Sequence, residues 1–386
     1  MVQHHSADIE KWLKLIRSDG IGPVLFKRLL DAFGDVDRIL AASAARLAEV
    51  KGISQTTAQQ IARTRNTFNA EKEIEHADKL GVWIVHLHDP RYPPALKAIY
   101  DPPPVLYVKG TLTRADTLAL AIVGSRRCTL YGTEQAGRFA HLLASAGFTI
   151  VSGGARGIDA AAHRGALSAK GRTIVVQGSG LANPFPAENQ KLFEQAAESG
   201  AVISELPLTY EPLAANFPGR NRIIAGLSLG VLVVEAAHRS GALISAQAAL
   251  DNNREVMAVP GRIDSPASAG CHQLIKQGAR LVDSIDDIMA ALGNVGDGLQ
   301  DYAASAAGQA EQNAQKSLFD VSRLNLTKEE NAILDCLNSE PVHVEDLIAQ
   351  TKLTAGQVHA AAVSLQLKGL IRQLPGGMFV KRHQTQ

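Results

Sequence analysis

Between residues 118 and 259 the chain repeats short, almost uninterrupted apolar runs, at 118–123, 148–151, 173–176, 201–204, 231–234 and 255–259, separated by stretches with helical spacing. A strand that lacks polar alternation is buried on both faces, which requires a mainly parallel sheet covered by helices on either side. Strand and helix alternating at this spacing predict a doubly wound α/β, Rossmann-like domain. In such a sheet a ligand sits beyond the carboxyl ends of the strands, so the residues that follow each run carry most of the functional information.

The flanking segments read differently. Residues 1–80 have apolar positions at helical spacing, among them Leu13, Ile16, Leu25, Leu29 and Leu30. Two similar turns, Gly20-Ile21-Gly22-Pro23 and Lys51-Gly52-Ile53-Ser54, each open a new helix. Such a turn resembles a helix-hairpin-helix, which offers its amides to a DNA phosphate, or it caps a small SAM-like helix bundle with glycine. Asp89-Pro90-Arg91-Tyr92-Pro93-Pro94 and Asp101-Pro102-Pro103-Pro104 cannot lie inside helices and read as an extended wrap into the α/β domain, residues 81–292. Residues 293–324 are rich in Gly, Ala, Gln, Asn and Asp, with little to bury, and read as a flexible linker. Residues 325–386 show three helical patterns and a hairpin around Pro375-Gly376-Gly377, the outline of a winged helix. The presumed recognition helix, 355–368, has Lys368 as its main cation. Phosphate contacts need Lys or Arg, so this unit is expected to serve a protein contact more than DNA affinity.

Lys and Arg total 39 against 38 Asp and Glu, a net charge of +1. Coating nucleic acid by bulk charge is thereby excluded, and any anion site must be a local concentration of cations. Cys128, Cys271 and Cys336 lie far apart with no Cys-x-x-Cys pair, which excludes a zinc ribbon and fits a reduced, cytoplasmic setting. The first five residues lack the layout of a signal peptide, and no apolar run reaches the ~18 residues of a membrane span, so no membrane partner is expected.

Four turns follow strand runs: Gly124-Ser125-Arg126-Arg127, Ser152-Gly153-Gly154-Ala155-Arg156-Gly157, Gly178-Ser179-Gly180 and Arg239-Ser240-Gly241-Ala242. Glycine lets amides approach an anion, and arginine adds forked phosphate contacts, so a phosphate-bearing ligand is expected on this rim. The first turn lacks the Gly-x-Gly-x-x-Gly of dinucleotide sites, and no Walker sequence or His-Glu-x-x-His occurs, so no cofactor is expected. Gly226-Leu227-Ser228-Leu229-Gly230 has the spacing of a serine nucleophile elbow, but helix precedes it and strand follows, the reverse of what that motif needs. Asp159, Glu188, Glu205 and Glu235 near strand ends are either catalytic or cap helices and pair arginines, and the second reading is favoured for want of a metal motif or nucleophile. Asn216-Phe217-Pro218-Gly219-Arg220-Asn221-Arg222 places a ring beside two cations, with Pro-Gly reading as an exposed turn. Single-stranded nucleic acid needs cations for phosphates and rings for stacking, although Phe217 could also be a core ring.

These residues carry a family resemblance. GSRR (124–127), SGGARGIDAAAH (152–163), FPGRNRIIAGLS (217–228) and RSGALISAQAAL (239–250) resemble the DNA-processing protein A family, also called Smf, as do 92–110, 184–193 and 270–279. The resemblance implies a dimeric, non-enzymatic protein. Such a protein binds and protects single-stranded DNA without ATP and loads a RecA-type recombinase during natural transformation, despite single-strand binding protein. It also implies a DNA pocket made of Gly124, Ser125, Arg126, Ser152, Gly153, Gly154, Ala155, Phe217, Arg220, Asn221 and Arg222, to which the phosphate reading of the rim adds Ser240 and Gly241. Some members carry a lysine three residues before the phenylalanine, where this chain has Ala214. The rival is an enzyme: nucleotide phosphoribohydrolases have a similar α/β domain, but their Pro-Gly-Gly-x-Gly-Thr string is absent here, where the comparable region reads Arg239-Ser240-Gly241-Ala242.

Overall fold

The computed structural model describes residues 4–293, 326–337, 342–367, 370–374 and 377–381. It divides into two compact units, Met1–Ala144 with Phe148–Asp283, and Ser145–Gly147 with Ser284–Gln386.

The first unit opens with six helices: α1 (Ile9–Ile16), α2 (Pro23–Phe33), α3 (Val36–Ala41), α4 (Ala44–Ala48), α5 (Gln55–Thr64) and α6 (Ala70–Lys79). Both glycine turns occur where the sequence places them. Gly20 takes φ +84°, and Pro23 starts α2, where its missing N–H costs nothing. At the second turn the Ser54 side chain caps α5 by accepting from the Thr57 amide. Leu13, Leu15, Phe26, Leu29, Ile39, Leu47 and Ile61 form the buried faces of this bundle.

The sheet and its helices follow as β1 (Val82–His86), α7 (Pro94–Lys97), β2 (Val105–Gly110), β3 (Ala119–Val123), α8 (Leu130–Ser145), β4 (Thr149–Ser152), α9 (Ile158–Ser168), β5 (Thr173–Val176), α10 (Gln190–Ser199), β6 (Ala201–Ser204), α11 (Asn216–Leu227), β7 (Gly230–Val233), α12 (Ala242–Asp251), β8 (Glu255–Ala258), α13 (Ala269–Lys276) and β9 (Arg280–Leu281). Among the described residues the strand order is β1-β2-β6-β5-β4-β3-β7-β8-β9. From β6 to β9 every pairing is parallel. All six expected runs are strands, buried throughout except Glu255 at the start of β8.

Two strands beyond those six extend one edge: β1 pairs antiparallel with β2, and β2 antiparallel with β6. The Pro-rich segment between β1 and β2 is thus the connection of an antiparallel pair. Val82, Trp83, Ile84 and Val85 are all buried because the N-terminal helices cover this part of the sheet. Trp12 of α1 stacks on His86 with ring centroids 4.4 Å apart, and the Ser6 amide donates to the Ile84 carbonyl. The expected boundary at residue 80 therefore falls inside one compact unit with a shared core.

Chain direction decides where the rim lies. The chain runs β3, β4, β5, β6 to one side of β3, then returns through α11 to β7 on its other side. Loops after β3, β4 and β5 and the start of α11 consequently meet at the carboxyl end of the sheet.

In the second unit, helices Lys328–Cys336, Val344–Thr351 and Ala355–Leu367 pack with a three-stranded sheet of Val342–His343, Met378–Lys381 and Ile371–Leu374, in that order. Ile333, Leu347, Val358, Ala362, Leu365 and Phe379 form its core. Thr327 and Glu330 close a reciprocal cap on the first of these helices. The winged-helix outline is present. The linker expected at 293–324, apart from Gly293, lies outside the described residues, as do Lys368 and Pro375-Gly376. No described helix is long and apolar enough to cross a membrane.

Candidate nucleic-acid interface

The turn after β3 is pinned from below and open above. The Ser125 amide donates to the Glu235 carbonyl at 2.7 Å, and the Ser125 carbonyl accepts from Ile158 at 3.2 Å. Ser125 Oγ accepts from the Arg127 amide at 3.1 Å. With the backbone held between β7 and α9, the side chains of Arg126 and Arg127 are exposed.

The turn after β4 faces inward. Ser152 is fully buried, and its Oγ donates to the Ile122 carbonyl at 2.6 Å. The Gly153 and Ala155 amides both donate to Asp159 Oδ2, at 3.2 and 3.3 Å. The Gly154 carbonyl accepts from Asn189 Nδ2 at 2.9 Å. Of the amides this turn was expected to offer to a phosphate, those of Gly153 and Ala155 are thus held by Asp159, at the start of α9. Burial pushes the Asp159 carboxyl up, against the opposing pull of Arg220 and these amides.

The surroundings of Arg220 depart from the exposed-turn reading. Pro218 and Gly219 are exposed, but they are helical. They lie in the first turn of α11, where a proline removes no helical hydrogen bond. Arg220 is consequently carried inward and is 5% exposed. Its Nη1 donates to the carbonyls of Gly153 at 2.7 Å and Val176 at 2.6 Å, tying together the ends of β4 and β5. Its Nε donates to Asn221 Oδ1 at 3.2 Å, and Asn221 is itself buried. Burial pulls the guanidinium down to about 10, Asp159 opposes this, and Arg126 adds to it. A Cβ on Gly153 would lie 2.0 Å from Arg220 Nη1, so glycine here makes room for the protein's own cation.

Above this buried frame stands Phe217, half-buried. The Arg126 guanidinium lies 4.9 Å from its ring centroid and that of Arg220 5.7 Å. Both are within reach of a cation–π contact. Phe185, 39% exposed, is a second ring 6.0 Å away at 53°. Gly178, after β5, lies under Phe217, since a Cβ there would come within 2.9 Å of the ring. Loops after three strands and one helix start thus meet around one aromatic ring. Phe185 was not among the expected site residues, although an aromatic before proline in 184–193 was its signal.

Arg222 does not join this set. Its Nη2 and Nη1 fork onto Glu205 at 2.7 and 2.9 Å, and its Nε donates to Asp101 at 2.9 Å. The two cations that the sequence sets beside the ring thus diverge: Arg220 is buried beneath it and Arg222 is neutralised by two carboxylates. The favoured reading of the acids fits. Asp159 holds amides, Glu205 pairs Arg222, Glu188 pairs the exposed Arg156 at 2.5 Å, and Glu235 accepts from the amide and hydroxyl of Thr129 at 2.8 Å each. Ser228 is buried between α11 and β7, its Oγ donating to Ile224, so the elbow-like string has the reversed context. Ser240 and Gly241 open α12 on the other side of β3 from Phe217, with Ser240 Oγ accepting from the Ala242 amide. Among the described residues no cluster of three or more His, Cys, Asp and Glu could hold a metal ion.

Comparison with known proteins places this geometry in a family. The model of the DNA recombination-mediator protein A family matches residues 83–293, that of the DprA winged helix domain 320–377, and that of the SAM-like helix-hairpin-helix tandem 13–65. Protein Smf of Synechocystis sp. is 36% identical over 392 residues, covering 96% of this chain and 98% of its own. DNA processing protein DprA of Bacillus subtilis is 41% identical over 55% of this chain and 72% of its own. The crystal structure of DNA processing protein A from Streptococcus pneumoniae is similar at a TM-score of 0.65 and 33% identity, over 75% of this chain and 98% of that one. The α/β sheet, the paired glycine turns of the N-terminal helices and the winged helix accord with these matches, and the chain belongs to the DNA recombination-mediator protein A family.

Proposed function

We propose that this protein binds single-stranded DNA along the rim formed by Gly124–Arg126, Phe217 and Phe185, with the turn at Ser152–Ala155 and residues Arg220 and Asn221 as its buried support. The observation that carries the reading is the pairing of an exposed guanidinium with a half-buried ring. Arg126 lies over Phe217 and has no ion pair among the described residues, whereas Arg156 and Arg222 are paired to carboxylates. A free cation beside accessible rings can take a phosphate while the rings take a base. The four acids near the strand ends are committed to internal partners, which disfavours the phosphoribohydrolase reading.

Membership in a recombination-mediator family supports the further steps: delivery of the bound strand to a RecA-type recombinase in the presence of single-strand binding protein, without ATP, by a homodimer in the cytoplasm during transformation. In this reading the winged helix serves a protein contact, and removal of 325–386 changes single-strand affinity less than tenfold. A gel shift comparing single- and double-stranded oligonucleotides at two salt concentrations tests the reading. Tighter, salt-dependent retention of the single strand is expected. Equal affinity for both, or release of free base from a nucleoside monophosphate, contradicts it.

A further inference from the structure

Residues 205–215 connect β6 to the helix that carries Phe217 and Arg220. Holding such a loop still costs backbone entropy, so a binding group delivered by it needs anchors. Two of the N-terminal helices supply them. Glu73 of α6 accepts the Leu208 amide through Oε1 at 2.9 Å, and Leu208 is fully buried. Arg17, just beyond α1, donates from Nη2 to the Glu205 carbonyl at 3.0 Å, with its guanidinium 6.0 Å from the ring centroid of Tyr107 in β2. The Glu205 carboxylate in turn takes both Nη atoms of Arg222, on the same helix as Phe217.

A polar relay therefore runs from α1 and α6 through the loop into α11. Along this seam lies a cavity of about 330 Å³, lined in part by Ile16, Arg17, Ile21, Asp101, Glu205 and Arg222. The cavity borders the loop at Glu205 and Leu206, where directional polar contacts add to the burial of Leu208 in holding it.

We propose that the N-terminal helical region is a working part of the single-strand site, with Glu73 and Arg17 as positioning residues that hold 205–215 so that Phe217 stands against Arg126. This rests on the rim reading given above. Among the described residues neither side chain makes a hydrogen bond or ring contact with Phe217 or Arg126, so both act through the loop.

The test uses the full chain. Amide hydrogen exchange over 205–215 and affinity for a fluorescent oligo(dT) at two salt concentrations are measured for the wild type, Glu73→Ala, Glu73→Gln and Phe217→Ala. Glu73→Ala is expected to speed exchange at Leu208 about tenfold. It is expected to weaken binding about fivefold with the salt slope unchanged, since no phosphate contact is lost. Glu73→Gln keeps an acceptor oxygen and restores both. Faster exchange with unchanged affinity in Glu73→Ala overturns the inference while leaving the rim reading intact, as does exchange that does not move. Wild-type affinity in Phe217→Ala removes the rim reading and this inference with it. Should Glu73→Ala fail to fold, Arg17→Ala, which releases the same loop at Glu205, is judged by the same two readouts.

Discussion

The turns after β3 and β4 look alike in sequence, both short, rich in Gly and Ser and followed by arginine, yet they do opposite work. At 124–127 the backbone is braced against β7 and α9, and the arginine side chains are left in solvent. At 152–155 two amides close onto Asp159, Ser152 is sealed in the core, and the nearest cation, Arg220, bonds to backbone carbonyls. The difference lies in a neighbour. A carboxylate at the start of α9 takes the place that an external anion would take. Small residues that allow a backbone to approach an anion also allow it to approach the protein's own side chains. Which of the two occurs depends on residues distant in sequence.

The contrast can be broken most sharply at Arg220. Replacing it with alanine leaves the buried carbonyls of Gly153 and Val176 without their donor and removes the positive charge near Asp159, with an expected loss of about 2–4 kcal/mol in chemical denaturation. Arg126→Ala, in solvent, should stay within about 0.5 kcal/mol of wild type in the same assay. Similar stability losses in the two variants would erase the distinction. Phe217→Ala comes next. Loss of a stacking ring should weaken oligo(dT) binding by about 1–3 kcal/mol with little change in salt slope, read by fluorescence titration.

The buried side also carries pH dependence. His163 of α9 is fully buried, bonded through Nδ1 to Thr173 Oγ1 at 2.7 Å, and pushed down to about 3 by burial and then by Arg220 and Arg164. An unfolded histidine titrates near 6.5, so between those values the unfolded chain binds the extra proton. Stability from keeping His163 neutral is complete above about pH 6.5 and lost as pH falls toward 3, about 2 kcal/mol being gone at pH 5. Denaturation from pH 7 to 5 should show this slope, and His163→Asn should flatten it. An equal slope in the variant contradicts the assignment.

Much of this was legible in the residues. Continuous apolar runs predict the parallel strands because burial on both faces leaves no period to confuse them. The acids were readable as partners of arginines and amides. β1 and β2 were not, because the prolines between them masked an antiparallel pair whose burial depends on the N-terminal helices. The start of α11 was misread because Pro-Gly signals a turn in general but is tolerated in a first helical turn. That shift carried Arg220 from the surface to the core. Sequence order also could not show that Glu205 and Asp101 claim Arg222, or that Phe185 stands beside Phe217, since those meetings are set by the sheet topology.

The rim reading stands or falls on one exposed guanidinium over one ring, so the decisive measurement is the salt dependence of oligo(dT) binding for wild type and Arg126→Ala. Loss of one phosphate contact on a single strand should lower the log–log slope by about 0.7 and weaken binding at low salt, whatever the base composition. Parallel lines of equal affinity would mean that Arg126 meets no phosphate, and that the open turn after β3 is not where the strand is held.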